Sequence, residues 1–254
     1  MGTAPRGTER RADMLRAVVT AGGRVDGAFA AALGTPVKAL APFGHGVLLD
    51  VVLDALAAAG VSDIAVVGDP AVGRRLPDGV RLIAAAPDGA VNVARALDAW
   101  PDDDLLYATS DLPFVDGAGL RNFLAAGKPY DLTLPLAAAD DYERTYPGAP
   151  SHVTALAGER VANGSVFFIG RNARAPVRAV AGRFFTARKS ALGMARLLGA
   201  PLLFRFLARR LRIADVERRA SAVLGVRAAA IRDAAPGLCY DVDTLDDYRY
   251  ACAR

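Results

Sequence analysis

Apolar residues fall in short unbroken runs through the first half of the chain, and the stretches between them carry helical spacing. Residues 15–20 (LRAVVT) run into Ala21-Gly22-Gly23-Arg24, the pattern of a buried parallel strand followed by a glycine turn. Residues 47–59 (VLLDVVLDALAAA) predict a helix that carries Asp50 and Asp54 on one face and stops at Gly60. Residues 63–68 (DIAVVG) read as the next buried strand and 81–84 as a weaker one. Residues 90–100 read as a helix ended by Pro101. A strand at 104–109 (DLLYAT) leads into Ser110-Asp111-Leu112-Pro113-Phe114, a helix is expected at 119–126, and a strand at 131–136.

Strands that alternate with helices in this way predict an α/β fold: a mostly parallel, Rossmann-like sheet with helices on both faces. Such sheets bind ligands at the carboxyl ends of their strands. Farther along, 137–150 is polar with two prolines and reads as a long loop. Strands are expected at 152–156, 165–169, 226–231 and 238–242, and a closing helix at 243–251. Residues 1–13 are polar and basic and read as a flexible arm. Residues 14–254 then form one domain, with a helix-rich insertion at about 171–224.

Composition narrows the classes. The chain has 254 residues, 53% hydrophobic and 23% charged, enough for a full core. A net charge of +4 suits small anionic substrates. No basic run interleaved with aromatics marks a nucleic-acid surface, so no nucleic-acid partner is expected. Cys239 and Cys252 have no CxxC spacing and only His45 and His152 accompany them, which argues against a zinc cluster or a disulfide framework and for a cytoplasmic protein. No apolar run approaches the roughly 18 residues of a membrane span.

Three clusters carry candidate chemistry. Glycines at 22 and 23, directly after a strand, let backbone N–H groups turn toward a phosphate chain, and Arg24 and Lys38 add cations. An ordinary strand-to-helix turn has the same composition. Neither GxGxxG nor GK[ST] is present. Asp111, at the end of a buried strand, offers hard oxygens suited to magnesium, although an aspartate there also caps helices. Asp241 and Asp243 lie two apart in DVDTLDD, so their side chains share a face of an extended segment. Asp243 equally fits a helix N-cap, with Asp246 three residues on.

Taken in order, AVVTAGGR at 17–24, Pro36-Val37-Lys38-Ala39-Leu40, TSDLPF at 109–114 and DVDTLDDY at 241–248 resemble the MobA-like nucleotidyltransferases. That group includes molybdenum-cofactor guanylyl- and cytidylyltransferases and is similar to sugar-phosphate nucleotidyltransferases of GT-A-like fold. The resemblance spans most of 15–135 and returns at 238–252. It implies a triphosphate loop at Ala21, Gly22, Gly23 and Arg24, a phosphate-contacting lysine at Lys38, and a metal-binding aspartate at Asp111. A second metal ligand is implied at Asp241 or Asp243, base recognition near Asp88 and Asn92, and an acceptor-side segment at Asn163-Gly164-Ser165. The glycine loop is shorter than the family pattern, and Leu245 stands where the closing motif has proline.

The reaction so implied is Mg2+-dependent transfer of a nucleotidyl group from a nucleoside triphosphate to a small phosphorylated acceptor, with release of pyrophosphate. Arg24, Lys38 and Asp111 are its expected catalytic residues. A phosphate nucleophile is anionic at neutral pH, so positioning and charge neutralisation suffice. Two alternatives stand beside it. One is a nucleotide-sugar-dependent glycosyltransferase, whose usual Asp-x-Asp motif is absent at 110–113. The other is a non-catalytic nucleotide-binding or membrane-surface module, motivated by the apolar and arginine-rich segment 192–212. Oligomeric state is not legible.

Overall fold

The computed structural model describes residues 15–187 and 199–254. Its centre is β1 (Leu15–Thr20), paired in parallel with β4 (Ile64–Gly68) on one side and β6 (Asp104–Thr109) on the other, while the two-residue strands β2 (Pro42–Phe43) and β3 (Gly46–Val47) pair with each other outside this sheet. Ala17, Val18 and Val19 are fully buried, as a strand covered on both faces requires. Alternation splits them. Ala17 and Val19 pack into the core beneath α2 (Leu48–Ala58) and α5 (Gly117–Gly127), while Val18 packs with α4 (Gly89–Leu97) and α7 (Arg171–Ala187).

The sheet continues through β5 (Arg81–Ala84) outside β4, and through β10 (Val166–Ile169), antiparallel to both β6 and β7 (Leu132–Ala138). β9 (Glu159–Asn163) and β8 (Val153–Leu156) finish that side antiparallel, and β11 (Ala228–Ile231) pairs in parallel with β7. The described residues thus form a mixed nine-stranded sheet, parallel at its core, with helices on both faces, as the alternation of elements predicted.

The structure departs from the sequence reading in several places. Residues 137–150 are not one loop: β7 runs on to Ala138, and α6 (Ala139–Thr145) follows. Tyr142 and Tyr146, one helical turn apart, are buried in an aromatic cluster with Phe114 and Tyr240, and this anchors the helix. Residues 238–242 do not form a strand: a 3-10 turn at Pro236–Leu238 leads into an irregular segment outside the sheet. Short helix α1 (Gly27–Leu33) and strand β9, between β7 and the edge strand β8, were not anticipated. Within 171–224, α7 packs against α4 and α9 (Ile213–Leu224) against β11, with the short α8 (Ala200–Leu207) between them. Of the apolar and basic segment 192–212, residues 192–198 lie outside the described residues.

Candidate functional site

Register decides where the site forms. Thr20 at the end of β1 sits opposite Thr109 at the end of β6, so the turn after each strand leaves the sheet at the same level. Ser110 donates its N–H to the Thr20 carbonyl at 3.2 Å and joins the two turns directly. One turn carries Gly22, Gly23 and Arg24; the other carries Asp111.

The first turn is braced from both ends. The Ala21 N–H donates to the Val67 carbonyl at 2.8 Å. Arg24 pairs as an isolated antiparallel bridge with Val37, Val25 N–H donates to Pro36, and Lys38 N–H donates to the Gly23 carbonyl. No hydrogen bond among the described residues claims the N–H groups of Gly22, Gly23 or Arg24, which leaves three donors at the strand edge. Glycine is required at 22: a Cβ there would lie 2.9 Å from the Asn92 side-chain nitrogen. Asn92 is buried and uses both ends of its amide on Ala86, accepting from the backbone N–H at 2.6 Å and donating to the carbonyl at 2.9 Å. It therefore supports the floor of the glycine turn. Asp88 caps α4 through the Ala90 N–H. Arg24 is exposed and paired at 3.2 Å with Asp69, the N-cap of α3 (Pro70–Gly73).

Lys38 joins the clusters. Its side chain passes Gly23, where a Cβ would stand 3.6 Å from Lys38 Cε, and its ammonium forms an ion pair with Asp111. The same Nζ donates to the Val242 carbonyl at 2.9 Å and lies 3.4 Å from Asp243 Oδ1. Burial lowers the Lys38 pKa, but Asp111, then Asp243 and Asp241, outweigh it, and the net displacement is upward.

The acidic segment docks directly on Asp111, whose carbonyl accepts the Val242 N–H at 2.9 Å. This approach needs Gly164, since a Cβ there would come within 2.3 Å of the Leu238 carbonyl. Beside it, Ser165 Oγ donates to Asp241 Oδ2 at 2.9 Å. Asn163-Gly164-Ser165 thus seats the acidic segment. The Asp241 carboxyl is pushed up to about 6, first by burial and then by Asp111 and Asp243, while Ser165 and His152 pull the other way.

Two further residues were not found from sequence. His152 stands between carboxylates, with Nδ1 3.6 Å from Asp241 and Nε2 2.9 Å from Asp247. Asp247 is buried and accepts from the N–H groups of Asp243 and Thr244 and from the Thr244 hydroxyl. Thr244 with Asp247 is therefore the capping pair of α10 (Leu245–Cys252), not Asp243 with Asp246. Asp243 is left exposed toward Lys38. His152 and Asp247 lie 95 residues apart, and Ser165 and Asp241 lie 76 apart, so no local spacing announces these contacts.

One ammonium therefore faces three carboxylates. Asp111 Oδ1 is buried without a hydrogen-bond partner, an acceptor that a bound cation would satisfy. Among the described residues no group of three or more His, Cys, Asp or Glu side chains is disposed to hold a metal by itself. The donor set instead fits a hard divalent ion that takes one or two carboxylates and completes its shell with water and phosphate oxygens.

Solved structures share this fold. A hypothetical transferase from Thermus thermophilus aligns at TM-score 0.79 and 29% identity, over 92% of this chain and 99% of that one. A 2-C-methyl-D-erythritol 4-phosphate cytidylyltransferase from Thermus thermophilus has the same fold at TM-score 0.53 and 19% identity, over 94% and 98% of the chains. A Mycobacterium tuberculosis protein in complex with manganese aligns at TM-score 0.50 and 20% identity, over 96% and 100%. No match was found among curated proteins. The family description "MobA-like NTP transferase domain" matches residues 17–227. The chain belongs to the MobA-like NTP transferase family and is a nucleotidyltransferase.

Proposed function

We propose that this nucleotidyltransferase moves the nucleotidyl part of a nucleoside triphosphate onto a small phosphorylated acceptor, with Mg2+ as its working ion. The observation that carries this reading is the convergence of the Gly22-Gly23 turn, Lys38, Asp111 and the 241–243 segment at one strand edge.

In this reading the unclaimed N–H groups of residues 22–24 hold the triphosphate, and Arg24 adds charge at the outer side of the turn. Asn92, its amide bonded to Ala86, supports the turn from below. Lys38 lies between the turn and Asp111, where its ammonium offsets charge on either side. Asp111 together with Asp241 or Asp243 holds the divalent ion, and Ser165 and His152 orient Asp241. The ion, when bound, withdraws charge from the phosphate oxygens. An oxygen of the acceptor phosphate attacks the α-phosphorus, the bond from α-phosphorus to the bridging oxygen breaks, and pyrophosphate leaves with the electron pair. The nucleophile is already ionised at neutral pH, so no general base is needed. The manganese bound by the Mycobacterium tuberculosis neighbour and the phosphorylated substrate in the cytidylyltransferase's name support this choice of ion class and acceptor class. Two free cysteines suit a reducing cytoplasm, and no helix among the described residues is long and apolar enough to cross a membrane.

The test is pyrophosphate release from each of the four nucleoside triphosphates with Mg2+ against a panel of sugar, polyol, pterin and amine phosphates. At least one pairing should release pyrophosphate in step with a nucleotidylated product. Release of nucleoside diphosphate from a nucleotide sugar instead would establish glycosyl transfer. Wild-type turnover by Asp111→Ala would remove the site described above.

A further inference from the structure

α8 reads Ala-Pro-Leu-Leu-Phe-Arg-Phe-Leu, and none of its residues is buried. Phe204, Phe206 and Leu207 are 69%, 50% and 67% exposed. A helix normally hides such residues, and a contiguous exposed group of them marks a surface meant for contact. The segment is nonetheless attached firmly on its C-terminal side. Leu211 and Ile213 are buried, the Leu211 carbonyl accepts the Ala157 N–H at 2.9 Å, and buried Asp215 accepts from the Arg212 N–H and from Arg205 at 2.6 Å. Arg218 also pairs with Asp215. The rigid anchor therefore presents the apolar side chains outward.

Charge identifies the occupant. Arg205, Arg209, Arg210, Arg212, Arg218 and Arg219 stand against Asp215 and Glu217, a surplus of four positive charges within 205–219. Basic residues therefore outnumber acidic ones three to one in the sequence that follows the exposed Phe204.

We infer that this patch docks on an anionic lipid bilayer surface. Phe204, Phe206 and Leu207 enter the headgroup–acyl boundary while the arginines pair with lipid phosphates. A symmetric dimer through the same face would set each arginine cluster against its own copy, and the charge therefore favours lipid over self-association. None of these residues belongs to the nucleotide site, and the inference does not depend on the acceptor proposed above.

The experiment is co-sedimentation of the full chain with vesicles of phosphatidylglycerol and phosphatidylcholine, and with phosphatidylcholine alone. Binding is expected to the mixed vesicles, weakened by added salt, and not to the neutral ones. Phe204→Ser, Phe206→Ser and Leu207→Ser combined should weaken binding by about tenfold or more. Arg209→Glu with Arg210→Glu should do the same. Both variants alter exposed side chains and should keep wild-type melting and pyrophosphate release. Equal binding to neutral and anionic vesicles, or unchanged binding by both variants, overturns the inference. So does a concentration-dependent dimer that the serine variant abolishes without any vesicle binding by the wild type.

Discussion

Lys38 forms its ion pair with Asp111 while donating to the carbonyl of Val242, and so ties three distant parts of the chain to one point at the sheet edge. A single ammonium there balances carboxylates that would otherwise repel one another. Lys38→Met should destabilise the ligand-free protein by about 2 kcal/mol, less than a fully buried pair would give because both groups retain some contact with solvent. Mg2+ should restore part of that loss, since a cation at Asp111 relieves the same repulsion. Urea unfolding with and without Mg2+ measures both. Equal loss under the two conditions would separate Lys38 from the cation site.

Asn92 supports the glycine turn from below, with both amide atoms committed to Ala86. Asn92→Ala should keep the fold but weaken triphosphate binding by roughly tenfold, through a loosened turn. Gly22→Ala forces a Cβ against Asn92, so the two substitutions should be strongly non-additive. Calorimetric titration with a nucleoside triphosphate, on each single variant and the double variant, gives the coupling directly.

Asp241 is held by Ser165 and faced by His152. Ser165→Ala and His152→Ala should each weaken divalent-ion binding by about tenfold, as the loss of an orienting partner typically does. The nucleoside triphosphate KM at saturating metal should change little. A variant that alters KM alone would assign its residue to nucleotide contact rather than to ligand orientation.

The same carboxyl gives a pH dependence. Its pKa, raised to about 6, means that the fold prefers its protonated form. In the metal-free protein its contribution to stability is fully present below the unfolded value near 4 and is lost as pH rises through about 6. A metal needs the ionised form. The gain in melting temperature on adding Mg2+ should therefore be larger at pH 7.5 than at pH 5, with most of the change around pH 6. A gain independent of pH would exclude Asp241 as a ligand.

Much of this arrangement was legible in the chain. The apolar runs of β1, β4 and β6 are continuous because both faces of a parallel sheet are covered, and the turn residues after β1 and β6 stand out against them. Asp111 was recognisable as the first carboxylate after such a run. The misread parts have physical causes. α6 looked like a loop because its polar positions face solvent, and its anchors Tyr142 and Tyr146 pack against Phe114 and Tyr240 from distant segments. β9 exposes Arg160 and pairs only at the sheet's far side. Asp243 and Thr244 are adjacent and both suit an N-cap, and only the reciprocal bond from Asp247 decides between them. His152 had no signal because its partners are remote in sequence.

The most direct measurement is anomalous diffraction from crystals grown with Mn2+ and a non-hydrolysable nucleoside triphosphate. The expected result is a single manganese peak in contact with Asp111, with Asp241 or Asp243, and with a phosphate oxygen, over the Gly22-Gly23 turn. A nucleotide bound away from that turn, or manganese with no contact to Asp111, would contradict the site.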